Sequence, residues 1–134
     1  MFSLTAAWAA VGLVSSAALL VTYFTLLMSG LARVRFEVPA PSHDGPEAYL
    51  RHVRAHQNTI EHLVLFLPGM WLFALAVSPF WAAIVGAPWP IARLFYALGY
   101  YRAAASRSIP LYCSMPTIYI FLLGAPIGFA IALL

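Results

Sequence analysis

The chain has 134 residues, of which 63% are hydrophobic and 8% charged, and its mean hydropathy is +0.89. Soluble domains carry roughly 25% charged residues. Seven arginines and four acidic side chains, with no lysine, cannot coat a water-facing surface of this size, so the composition excludes a soluble protein. The net charge of +3 comes from scattered arginines, which do not form a nucleic-acid-binding face. The lone cysteine, Cys113, excludes a disulfide framework or a cysteine zinc cluster within one chain. At about 20 residues per span the length holds four transmembrane helices, read as an all-α integral membrane four-helix bundle with a single domain over residues 1–134.

Met1 to Ala32 contains no charged residue. A secretory signal has a basic start and an apolar stretch of only about 7–15 residues, whereas this apolar run continues from Leu4 to Leu31, so a retained transmembrane helix is expected. The following segment, Arg33 to Pro46, includes Pro39, Pro41, Gly45 and Pro46, which exclude a helix through it. A second helix is expected from Glu47 to about Val77, polar first and apolar later, with Pro68 predicting a kink. Ser78-Pro79 marks a short uncharged turn. The third span is expected from about Phe80 to Tyr101, with a bend or broken turn at Pro88-Trp-Pro90. Arg102 to Ser108 forms a basic connection, and Pro110 opens a fourth, uncharged helix reaching Leu134.

Charge asymmetry orients the bundle. Arg33, Arg35, Arg51 and Arg54 flank the first connection and Arg102 and Arg107 the third, while the second connection and both termini carry no basic side chain. Positive residues stay on the cytoplasmic side. Loops one and three are therefore expected in the cytosol and both termini on the opposite side.

Ionisable groups in a membrane span are expensive and mark functional sites. At about 100° per residue, Arg54, Asn58 and Glu61 fall within an arc of roughly 60° on the second helix, with Arg51 at its edge and His52 and His56 on the other side. Arg93, Tyr96 and Tyr100 fall within a similar arc on the third, and Arg107 joins them if that helix stays regular. Arg102 points elsewhere. Arg54 and Glu61 neutralising each other, with the tyrosines forming an interfacial belt, would explain one such residue but not two coherent stripes at one depth. Together they would enclose a water-accessible pocket. Arginine pairs bidentately with carboxylates, Glu61 accepts from an ammonium, and Asn58 satisfies a peptide amide. A small zwitterionic peptide with a carboxylate at each end fits this inventory.

At these residues the sequence resembles the MAPEG family, membrane-associated proteins of eicosanoid and glutathione metabolism. The resemblance lies in Arg51-His-Val-Arg-Ala-His-Gln-Asn-Thr-Ile-Glu61 and in Ala92 to Tyr112, which includes Arg93, Tyr96, Gly99-Tyr100, Arg107 and Pro110. It implies a homotrimer with a glutathione site between neighbouring subunits, open to the cytosol, and a lipophilic electrophile arriving from the bilayer. The glutathione-binding set implied is Arg54, His56, Gln57, Asn58, Glu61, His62, Arg93, Tyr96, Tyr100 and Arg107. Arg107 would hold the thiol as thiolate, and Arg33 would donate a proton toward the second substrate. Ala32 replaces a glutathione-contacting arginine of one branch of the family, and His62 stands where that branch often has an aromatic residue.

The resemblance thus implies a membrane-bound glutathione transferase active in detoxification, with glutathione as co-substrate and possible reduction of lipid hydroperoxides as a side activity. A thiol of pKa about 8.5 is only a few per cent ionised at pH 7, and an arginine that stays charged is suited to raising that fraction. The alternative is a non-catalytic lipid-binding scaffold of the same family. A small multidrug transporter would need a charge deep in the first span, which is uncharged. No metal site is expected: His52 and His56 have helical metal-pair spacing but no further ligand joins them, and both are placed at the aqueous rim. Cys113 is expected to be an inert packed thiol, and Ser106 and Ser108 to cap or solvate the third connection.

Overall fold

The computed structural model describes residues 5–103 and 108–134, and of residues 108–111 the backbone only. Among the described residues there are five helices: α1 Ala6–Arg35, α2 Glu47–Ala76, α3 Pro79–Gly86, α4 Pro88–Arg102 and α5 Ser108–Ala132. Four stretches of these residues are long and apolar enough to cross a membrane, namely α1, α2, Pro79–Arg102 and Tyr112–Ala132. A 30-residue helix is about 45 Å long at 1.5 Å per residue, ample for a hydrocarbon core of about 30 Å. The protein is an all-α, four-helix integral membrane bundle.

The third span is broken where the two prolines fall. Ser78 caps α3, its hydroxyl accepting from the Trp81 amide at 3.5 Å, with Pro79 at the first turn. Pro88 and Pro90 bring no N–H to the ladder, and α3 hands over to α4 through Ala87, which keeps helical angles (φ −55°, ψ −36°). Trp89 between them is buried and stacks on Phe66 of α2, ring centroids 4.3 Å apart and planes at 8°. The neighbouring helix thus supports the break.

Lipid offers no hydrophobic drive for helix association, so close packing must supply it. Large apolar side chains such as Leu13, Leu20, Val64, Leu75 and Phe95 point outward, while Val11, Ala18, Phe66, Met70, Ala82 and Phe121 fill the centre. Glycines bring α5 against α2: a Cβ on Gly69 would lie 3.3 Å from Phe121 Cβ, and one on Gly128 would lie 2.8 Å from the Ala76 carbonyl oxygen. Polar links cross between α1 and α2. The Trp71 indole N–H donates to Ser15 Oγ at 3.0 Å, and His56 Nδ1 lies 3.0 Å from Thr25 Oγ1, each joining α1 to α2.

The first connection folds back tightly. Beyond α1, the Val38 amide donates to the Arg33 carbonyl (3.0 Å) and the Glu37 amide to the Val34 carbonyl (3.2 Å). This is the paired-bond helix ending in which the residue after the C-cap adopts left-handed angles, and Glu37 does so at φ 54°. Arg33 then reaches over the loop, donating to the carbonyls of Ser42 (2.8 Å) and Pro39 (3.3 Å). Its guanidinium lies 5.7 Å from the ring centroid of buried Tyr49.

Candidate functional site

Helical spacing puts Arg54, Gln57, Asn58 and Glu61 on one face of α2, and Tyr96 and Tyr100 on the facing side of α4. These six residues line a cavity of about 360 Å³, and all six were expected in the site. Arg54, Gln57 and Glu61 are exposed, whereas Asn58 is half-buried and both tyrosines are buried. The tyrosine rings sit 5.8 Å apart, tilted by 46°. The cavity therefore offers a guanidinium, a carboxylate, two carboxamides and two phenols, which together complement a ligand carrying both charges and peptide groups. Arg51, at the edge of the α2 stripe, lies outside this lining and pairs instead with Glu47 at 2.9 Å.

Arg93 shares the arc of Tyr96 and Tyr100 but is not part of the lining. It is fully buried, and one terminal nitrogen donates to both Asn58 Oδ1 (2.8 Å) and Thr59 Oγ1 (3.1 Å). Its guanidinium carbon lies 4.2 Å from the Tyr96 ring centroid and 6.0 Å from that of Trp89. Thr59 is thus a member of the polar cluster that the helical arc of α2 did not reveal. Its position next to Asn58 was the only signal in the sequence.

The remaining expected residues lie elsewhere in the chain. His56 faces α1 through Thr25. His62 lines a separate groove of about 150 Å³ with Leu65, Met115, Ile118, Tyr119 and Leu122. Arg33 is engaged by the first connection. Arg107 and Ser106 lie outside the described residues, as does the side chain of Ser108. The condition that would have carried Arg107 onto the α4 stripe, a regular helix, does not hold: α4 ends at Arg102, and Ala103 is extended (φ −155°, ψ 141°). Alanine is a strong helix former, so local propensity does not foretell this ending. One further expectation is corrected: Cys113, expected to be packed, is exposed and borders an apolar groove with Ile84, Pro88, Ile91 and Phe95. His52 and His56 are half-buried, His52 stacking on Tyr101 with centroids 4.2 Å apart. Among the described residues no group of three or more His, Cys, Asp or Glu is placed to hold a metal.

A family model described as the MAPEG family matches residues 11–127. The chain belongs to the MAPEG family. It is homologous to leukotriene C4 synthase of Bos taurus, 36% identical over 110 residues that cover 82% of this chain and 73% of the relative. An uncharacterised protein of Synechocystis is 44% identical over 88 residues, covering 65% of this chain and 64% of that protein. Microsomal glutathione S-transferase 2 of Homo sapiens is 29% identical over 109 residues, covering 81% and 74% respectively. This MAPEG chain therefore combines the bundle with a polar cavity between α2 and α4, bordered by an apolar exterior.

Proposed function

We propose that this MAPEG protein is a membrane-bound glutathione transferase that binds glutathione in the α2–α4 cavity. The observation that supports it is the composition of the lining. Arg54 suits a carboxylate, Glu61 an ammonium, Gln57 and Asn58 peptide groups, and Tyr96 and Tyr100 give an aromatic wall with hydroxyls. Kinship with proteins named leukotriene C4 synthase and microsomal glutathione S-transferase 2 supports the same reading.

In the proposed reaction the glutathione sulfur, held as thiolate by Arg107, attacks an electrophilic carbon of a lipophilic substrate. A C–S bond forms as a halide departs or an epoxide C–O bond opens. In the second case the alkoxide takes a proton from a donor, the role proposed for Arg33. Lipid hydroperoxide reduction would begin from the same thiolate. A homotrimer, with the site completed by a neighbouring subunit and open to the cytosol, belongs to this proposal. It would let His56, His62 and Arg33, which lie outside the cavity of their own chain, serve a site nearby.

The test is stopped-flow absorbance near 240 nm on purified, detergent-solubilised protein mixed with glutathione at neutral pH. A saturable rise, absent in Arg107→Ala, is expected. Glutathione binding without a thiolate signal would remove the mechanism and leave the site. No binding by calorimetry would favour the lipid-binding scaffold instead.

A further inference from the structure

Arg93 is a cation with no exposure in a membrane bundle, and such a residue needs a reason. It has no carboxylate within ion-pair distance among the described residues, where Arg51–Glu47 is the only such pair. Its Nε and second terminal nitrogen have no hydrogen-bond partner among the described residues. The polar atoms it does engage are Asn58 Oδ1 and Thr59 Oγ1. The Thr59 hydroxyl donates its own proton to the Ala55 carbonyl at 2.8 Å, so it meets Arg93 purely as an acceptor. Both contacts are therefore chemically consistent in one direction only.

This has a consequence for the cavity. A guanidinium has donors and no acceptor, so the Asn58 atom facing it must be the carbonyl oxygen. Asn and Gln side chains are otherwise ambiguous between their two ends. Here the buried cation removes the ambiguity. With Oδ1 turned to Arg93, the NH2 group of Asn58 is the end left for a ligand, and Asn58 is one of the six lining residues. The same guanidinium lies against the ring of Tyr96, a second lining residue, so one side chain braces two adjacent parts of the wall.

We propose that Arg93 is a positioning residue that locks Asn58 as a hydrogen-bond donor into the cavity, so that Asn58 reads an acceptor oxygen of the bound peptide, a carbonyl or a carboxylate. The inference rests on the glutathione reading, and it names the ligand group that Asn58 recognises. It also moves Arg93 from the ligand-contacting set to the layer beneath it.

Four variants of the full chain in detergent test it: Asn58→Asp, Asn58→Ala, Arg93→Met and Arg93→Lys, with the double variant Arg93→Met/Asn58→Ala. Glutathione affinity is measured by calorimetry, KM and kcat with 1-chloro-2,4-dinitrobenzene, and thermal midpoint separately. Asn58→Asp replaces the donor by a second acceptor while offering Arg93 an ion pair. It is expected to keep or raise the thermal midpoint and to weaken glutathione binding at least about tenfold, the scale of a lost hydrogen bond to a charged ligand group. Arg93→Met is expected to weaken binding similarly. The double variant should be only slightly weaker than Asn58→Ala alone, by what the Arg93–Tyr96 contact adds, because the two act chiefly through one bond. Arg93→Lys, still a pure donor, should recover much of the affinity. If Arg93→Met fails to fold, the Asp and Lys variants decide. Glutathione affinity within twofold of wild type in Asn58→Asp, or full additivity in the double variant, overturns the proposal. A wild-type protein that binds no glutathione overturns the glutathione reading itself, and with it the ligand named here.

Discussion

Gly124 leaves no room for a side chain beside Phe73: a Cβ there would fall 2.5 Å from Cε2 of the ring. Phe73 is itself buried and packs against Phe121 with the rings tilted at 52° and their centroids 5.4 Å apart. Adding a methyl group must therefore push α5 away from α2 or force the ring off its rotamer. Overpacking of this kind costs about 1–3 kcal/mol. Gly124→Ala is expected to lower the thermal midpoint in detergent, followed by far-ultraviolet circular dichroism. Gly12→Ala, where a Cβ meets nothing within 4 Å, serves as the control and is expected to be neutral or slightly stabilising. Equal behaviour of the two variants would mean that α2 and α5 are not held at the separation described.

Glu37 occupies a backbone position that favours glycine. Its φ of 54° lies in the left-handed region, where a side chain costs about 1–2 kcal/mol. Glycine escapes that cost but loses more freedom on folding, about 0.5–1 kcal/mol. Glu37→Gly is thus expected to stabilise the end of α1 by about 0.5–1 kcal/mol. A higher thermal midpoint, with no change in glutathione affinity, is the expected outcome. A lower midpoint would show that the Glu37 side chain contributes more than its backbone strain removes.

Much of this arrangement was legible in the sequence because membrane helices obey few rules strictly. Four apolar stretches gave the spans, two prolines around Trp89 gave the break, and the 3.6-residue period gathered Arg54, Asn58, Glu61, Tyr96 and Tyr100 onto facing stripes. Periodicity gives direction around a helix but not depth beneath a neighbour. That is why Arg93, on the same arc as Tyr96, was expected to contact ligand and is instead enclosed beneath Asn58 and Thr59. His62, one residue and about 100° beyond Glu61, turns toward α5 and away from the cavity, the direction the helical period itself gives. The end of α4 at Arg102 could not be read from an alanine run. The exposure of Cys113 depends on how α5 sits against the break between α3 and α4, which is a tertiary matter.

Glu61 borders the cavity as a carboxylate, with no ion pair to Arg54 among the described residues. If it accepts from the ligand's ammonium, Glu61→Gln removes a charge-assisted hydrogen bond. A loss of about ten- to a hundredfold in glutathione affinity is expected. N-acetylated glutathione, which lacks the ammonium, should bind wild type weakly and discriminate little between wild type and Glu61→Gln. Calorimetry with both ligands checks this. Equal losses for the two ligands would dissociate Glu61 from the ammonium.

Arg33 is placed between two roles that can be separated by experiment. Its guanidinium fastens the first connection through the carbonyls of Ser42 and Pro39, and the proposed reaction assigns it a proton for an opening epoxide. Arg33→Ala removes both. Loosening the connection exposes the Glu37 peptide bond, so cleavage there by a glutamate-specific protease is expected to accelerate several-fold, read by mass spectrometry. The proton role concerns only substrates whose leaving oxygen must be protonated. Chloride leaving 1-chloro-2,4-dinitrobenzene needs no proton, whereas an epoxide such as styrene oxide yields an alkoxide that does. General acid assistance is worth about 10²–10⁴-fold, so kcat with the epoxide should fall at least a hundredfold while the chloride-releasing reaction changes little. A similar fall with both electrophiles would trace the defect to the displaced loop and remove Arg33 from the proton transfer.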